Sequence, residues 1–207
     1  MGEDVALTLY GVTVNDSHAA HFERPGLQRV AVRDLVALCG QTEYRAVEPT
    51  DERVQQYTEV ITAMSARGPV LPAPVGVVFR APESVQRWLE LHYVALNDSL
   101  TFVENRVACR VHVWRPGEGT DRDAGADLAA AAAESLRTLR RSAVASVPLR
   151  VEKVTGIVLS AAFLVEQDLW KPFVELVDEE GKRAPTLRLE LTGPWAPYDF
   201  VQMQLGT

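Results

Sequence analysis

The chain has 207 residues, 47% of them hydrophobic and 24% charged, which is the composition of an ordinary globular protein with length enough for two small domains. A net charge of −7 argues against a general nucleic-acid or anionic-membrane binder, and no apolar run nears the ~20 residues of a bilayer-spanning helix. The acidic start, Met1-Gly2-Glu3-Asp4, lacks the basic-then-apolar layout of a secretory signal, so the chain is expected in the cytoplasm. In that reducing compartment Cys39 and Cys109, far apart in the chain, read as small buried apolar residues and not as a disulfide framework.

Residues 5–14 are rich in β-formers and alternate in part, which predicts an opening strand broken by Asn15-Asp16-Ser17. Residues 27–32 and 35–39 suggest two further short strands, the second ended by Gly40. Thr50 before Asp51 and Glu52 is a helix start, a hydroxyl cap followed by acids at the positive end of the dipole. Val54, Tyr57, Ile61 and Met64 then form one apolar stripe, and Gly68-Pro69 stops the helix. Residues 70–79 contain Pro72 and Pro74, which restricts them to an edge or bulged strand. Pro82-Glu83 opens a second helix with Val85, Trp88, Leu89, His92, Leu96 and Leu100 on its inner face, with a break expected near Asn97-Asp98.

From about residue 105 the pattern becomes regular. A strand over 107–114 is followed by a polar loop at 116–125 and an alanine-rich helix from 126 to about 143. Residues 149–151 are a short strand candidate and 157–165 a longer apolar one. An amphipathic helix over 169–179 follows, with Gly181 as its stop. Leu187, Leu189 and Leu191 alternate with Arg188 and Glu190, a strand with one solvated face. The order β-α-β-β-α-β matches a ferredoxin-like unit. The predicted fold class is therefore α+β in two domains, residues 1–104 and a ferredoxin-like domain at 105–207 that ends in an aromatic tail. Charge is uneven between them: 14 acids against 8 bases in the first, 14 against 13 in the second.

The tail is the most distinctive stretch. Gly193 and Pro194 are expected to end the last strand, and Trp195, Tyr198 and Phe200 place three rings within six residues. Such rings either pack back on their own domain or anchor a partner. The run from Glu190 to Val201, of the form E-L-T-G-P-W-x-P-Y-x-F-V, resembles the C-terminal signature of the gas vesicle protein F/L family. Leu9-Tyr10-Gly11-Val12 is similar to the family's opening strand. Gly68-Pro69-Val70-Leu71-Pro72 with Gly76, Val78 and Phe79 is similar to its central motif, and residues 160–165 to its A-A-Y-L-V strand. At 74–76 the chain has Pro-Val-Gly where the family has Arg-Phe-Gly, so a cation suited to forked carboxylate pairing is missing.

The resemblance implies two α+β domains, the second a modified ferredoxin-like fold. It also implies a minor component or assembly factor of gas vesicles that binds the small hydrophobic shell protein and other accessory gas vesicle proteins. On that reading Val70, Leu71, Val78 and Phe79 on the sheet edge, with Trp195, Tyr198 and Phe200 in the tail, are the expected partner-binding residues. A diverged paralogue serving another complex is the competing reading, and a thiol- or metal-dependent enzyme the third. For the third the residues offer little. His18 and His21 with Glu23 lack further ligands at a recognisable spacing and read as a solvated loop. Cys109 and His112 are three apart on a strand and so point to opposite faces. His92 reads as a satisfied core histidine. No phosphate-binding glycine motif is present, and Gly117-x-Gly119 leads into an acidic loop. Glu175, Asp178, Glu179 and Glu180 read as a solvated helix end. Arg137, Arg140 and Arg141, with Arg150 and Lys153 nearby, form a basic cluster read as a solvated face or a dock for an acidic partner. No cofactor, metal or catalytic residue is expected.

Overall fold

The computed structural model describes residues 6–44, 49–115, 124–151, 156–201 and 203, with only the backbone at 124–126. The acidic start, most of the predicted loop at 116–125 with its Gly117 and Gly119, and Lys153 lie outside the described residues. The chain divides into two compact units, Met1–Asn105 with Ala196–Thr207, and Arg106–Trp195. Of the aromatic tail, Trp195 thus falls in the second unit, while Tyr198 and Phe200 fall in the first.

In the first unit β1 (Ala6–Val14), β2 (Leu27–Val32), β3 (Leu35–Thr42) and β4 (Leu71–Pro72) form an antiparallel sheet in the order β2-β3-β1-β4, and β5 (Val78–Phe79) also pairs with β1. Both faces are buried, as the unbroken apolar run Leu35–Cys39 requires. Leu35, Ala37 and Cys39 meet α2 (Pro82–Leu91) and α3 (Tyr93–Val103) through Val85, Leu89, Leu96 and Leu100. Val36 and Leu38 meet α1 (Asp51–Ser65) through Tyr57, Val60, Ile61 and Met64. Thr50 caps α1, its hydroxyl accepting from the Arg53 amide at 3.5 Å. Val54, expected on the inner stripe, is 39% exposed, because Val60 holds the inward position beside Ile61. The predicted break in the second helix falls at His92, five residues before Asn97.

Residues 70–79 make two short contacts with β1 and leave it between them. The Ala73 amide donates to the Tyr10 carbonyl at 2.8 Å, and the Leu9 amide to the Val77 carbonyl at 3.0 Å. The excursion turns through Gly76 at φ 92°. Gly11 permits the close approach of β4, since a Cβ there would stand 2.8 Å from the Leu71 carbonyl oxygen.

The second unit contains β6 (Arg106–Trp114), α4 (Ala124–Arg140), β7 (Ala145–Pro148), β8 (Ile157–Glu166), α5 (Trp170–Arg183) and β9 (Arg188–Trp195). Its sheet runs β7-β8-β6-β9, every pair antiparallel. One face packs on α4 and α5 around Cys109, Val111, Leu139, Phe163, Phe173 and Val177. Three expectations shift here. The short strand lies at Ala145–Pro148 and not at 149–151, because α4 ends at Arg140 and the chain turns earlier. Helix α5 runs through Gly181 to Arg183, held by Val177 and Glu180 on its buried side. Strand β9 runs through Gly193-Pro194 to Trp195, which pairs with Ala108. An edge strand tolerates the missing proline N–H, and the register shift between Ala108 and Arg110 absorbs the distortion.

Candidate functional site

The three tail rings have different fates. Trp195 ends β9 with 48% of its surface exposed, its indole N–H donating to Thr192 Oγ1 at 3.3 Å. Ala196 and Pro197 are buried, and Tyr198 is half-buried against the first unit. The Tyr198 ring lies 6.4 Å from Tyr57, whose ring is 6.2 Å from Tyr10. Phe200 is half-buried, and beyond it Val201 and Met203 pack against the core on the opposite face of the first sheet. The tail therefore ties itself to both layers of the first unit and leaves Trp195 as its most exposed ring.

The edge residues also divide. Val70 and Leu71 are buried in the two cores, at 1% and 0% exposure, and offer no free surface in the folded chain. Val78 and Phe79 are half-buried, with Phe79 tilted on Trp88 at 5.7 Å. The apolar side chain that this edge does present is Val75, 37% exposed on the excursion between β4 and β5. Its flanking Pro74 and Gly76 were the available signal for a chain leaving the sheet.

The groups that could carry chemistry are scattered. Burial pushes both the Cys39 and the Cys109 thiols up to about 12, so neither presents a thiolate near neutral pH. His112 is on the other face of β6 from Cys109 and shares a 2.8 Å hydrogen bond with Ser160 Oγ, its register partner on β8. His92 caps the α2–α3 junction with its ring 5.6 Å from Trp88, and its buried Nε2 has no partner among the described residues, contrary to the satisfied core histidine expected. His21 Nδ1 sits 3.1 Å from an Arg29 nitrogen. Among the described residues no cluster of three or more His, Cys, Asp or Glu side chains could hold a metal ion.

Glu180 is a correction. It is 5% exposed, not solvated, and binds Arg183 at 2.6 Å, while Arg183 also donates to Ser135 of α4 at 3.3 Å. The hydrogen bonds from Arg183 to the Glu180 carboxyl, outweighing desolvation, hold it below its ordinary value. In the basic cluster Arg137 is paired with Glu134, and Arg141 donates to Thr138. No helix among the described residues is long and apolar enough to cross a membrane.

The family described as gas vesicle synthesis protein GvpL/GvpF matches residues 6–123 and 115–202. The chain belongs to this family. It is similar to gas vesicle protein L of a Streptomyces species, at 31% identity over 92% of this chain and 88% of that protein. It is also similar to gas vesicle protein F2 of Halobacterium salinarum, at 29% identity over 86% of this chain and 81% of that one. Its fold is similar to the crystal structure of GvpF from Anabaena, with a TM-score of 0.76 at 14% identity over 97% and 99% of the two chains. GvpF from Microcystis aeruginosa gives 0.74 at 14% identity, over 96% and 100%. A mixed α/β architecture with two antiparallel sheets is thus common to this GvpL/GvpF chain and those structures.

Proposed function

We propose that this protein is an accessory of gas-vesicle assembly that binds the small hydrophobic shell protein, as scaffold, chaperone or minor wall component. Membership of the gas vesicle synthesis family across residues 6–202 is the observation that carries the reading. The physical need is clear. A shell subunit exposes a large apolar surface before it polymerises, and such a surface aggregates unless it is covered. A partner that covers it needs apolar contact points and no catalytic group. Such a protein acts in the cytoplasm and at the vesicle, alongside other accessory gas vesicle proteins.

Trp195 is our first candidate anchor, with Val78, Phe79, Tyr198 and Phe200 as half-buried support and Val75 added as an exposed contact of the first unit. Val70 and Leu71 support the edge from within the core. We further read the second unit as a ferredoxin-like domain. Its element order β-α-β-β-α-β and its sheet order β7-β8-β6-β9 support that reading.

The test is affinity capture of the shell protein by Trp195→Ala and Val75→Ser variants whose circular dichroism matches the parent chain. The proposal expects Trp195→Ala to weaken capture about tenfold or more, as loss of a half-exposed aromatic anchor does. Undiminished capture by both folded variants would remove these residues from the interface.

A further inference from the structure

The excursion of residues 73–77 does more than interrupt a sheet edge. Beside it lies an open cavity of about 210 Å³ in the first unit, lined by Val75 and Gly76 and by residues of β1, β3 and the first turns of α1. Gln41 and Gln56 are exposed there and Arg53 is half-buried. The Tyr57 hydroxyl holds the excursion by donating to the Ala73 carbonyl. Gly40 leaves room for the Tyr10 ring, since a Cβ there would stand 2.9 Å from that ring.

The chemistry of the wall is one-sided. Tyr10, Gln41, Thr42, Arg53 and Gln56 line it, and no carboxylate does among the described residues. Among the described residues, none of these five side chains is recorded in a hydrogen bond or ion pair within the protein, although their neighbours are well provided for. Thr8 bonds the Val77 carbonyl, Glu59 is shared by Arg24 and Gln55, and Glu43 has a partner of its own. Arg53 thus presents a fork of N–H donors, joined by two amide groups and two hydroxyls. Only the backbone amide of Arg53 is engaged, in the Thr50 cap. This cationic cavity sits in a half of the chain with 14 acids and 8 bases, so its sign runs against its surroundings.

We propose that this cavity is a binding site for a carboxylate, taken by the Arg53 fork and the Gln41 and Gln56 amides. The charge count selects the class. One guanidinium balances one carboxylate and matches its two oxygens, whereas a phosphate group at −1.5 to −2, by the ~6 value of its second ionisation, would remain under-compensated. The size selects the scale. Ligand sites for drug-sized molecules begin near roughly 300 Å³, so this one takes an acidic side chain or a small monocarboxylic acid. The site does not depend on capture of the shell protein. A glutamate or aspartate on a protein partner and a free monocarboxylate share the recognising chemistry.

The experiment uses the full chain labelled with nitrogen-15 at neutral pH. Butyrate is titrated in one arm and the capped peptide acetyl-Gly-Glu-Gly-amide in the other, with acetyl-Gly-Gln-Gly-amide as the neutral control. The side-chain amides of Gln41 and Gln56 and the backbone amide of Gly76 should shift and saturate with the acids and not with the control. Arg53→Gln should weaken binding about tenfold or more, the size expected for one charge-assisted contact, with the rest of the spectrum unchanged. Tighter binding of the peptide assigns the site to an acidic segment of a partner, and tighter binding of butyrate to a free acid. Absence of saturable shifts with both acids at tens of millimolar, or equal binding by a folded Arg53→Gln chain, would overturn the assignment.

Discussion

Gly181 and Gly193 both look like stop signals, yet the structure gives their replacement by alanine opposite signs. Gly181 lies inside α5, and a Cβ there would meet nothing within 4 Å. Alanine should therefore stabilise the helix by about 0.5–1 kcal/mol, chiefly by lowering the chain entropy lost on folding. Gly193 has φ 129°, a conformation that L side chains rarely adopt. Its Cβ would also stand 3.1 Å from both the Ala108 carbonyl oxygen and the Cys109 Cβ. Backbone strain of roughly 1–3 kcal/mol, with the displacement of the end of β9 from β6, makes a loss of about 2–4 kcal/mol the expectation for Gly193→Ala. Both positions belong to the second unit, as do Trp114, Trp170 and Trp195. Urea unfolding followed by tryptophan emission therefore reads both variants on mainly one transition. Heating should move that transition by about 4–8 °C per kcal/mol if the unit melts as a domain of its own size. Equal stability of Gly193→Ala and the parent chain, or a clear loss in Gly181→Ala, would refute the reasoning.

Acid should weaken the α4–α5 contact. The Glu180 carboxyl sits below its ordinary value of 4.5 in the folded chain, so its stabilisation is present above that value and lost as pH falls through the folded one. With the Arg183 side chain 51% exposed, solvent screening limits the pair to about 1 kcal/mol, which Glu180→Gln should remove at pH 7 but not at strongly acidic pH. Parallel unfolding curves of the two chains at both pH values check this, and an equal difference at each would contradict it. Neither cysteine should react with a disulfide reagent in the native protein, because burial holds both thiols near 12, while both should react in denaturant. Rapid native labelling of either would show that its core opens readily.

Much of the architecture was readable because local pattern and tertiary need agree. The Thr50 cap, the Tyr57–Met64 stripe and the two prolines at 72 and 74 lead directly to α1 and to a broken sheet edge. Where they disagreed, tertiary context won. Gly181 does not stop α5 because Glu180 and Val177 already bind that turn to its surroundings. Gly193-Pro194 does not stop β9 because the glycine reaches a backbone angle that lets Trp195 pair with Ala108. The family signature could locate the tail but not divide its rings, since exposure of Trp195 and half-burial of Tyr198 depend on which unit each one belongs to. The Arg53 cavity was beyond reach for a related reason. Its wall comes from residues 8, 10, 41–42, 53, 56–57 and 75–76, and no single stretch carries a recognisable motif.

The central claim is that this GvpL/GvpF chain holds the vesicle shell protein before the wall forms. Co-expression of the two, followed by affinity capture and separation of soluble from pelleted shell protein, tests it most directly. The account predicts a complex that survives washing and a rise in soluble shell protein that depends on this chain. A folded chain that captures none of a demonstrably present shell protein, and leaves its solubility unchanged, would contradict the account and favour a paralogue that serves another complex.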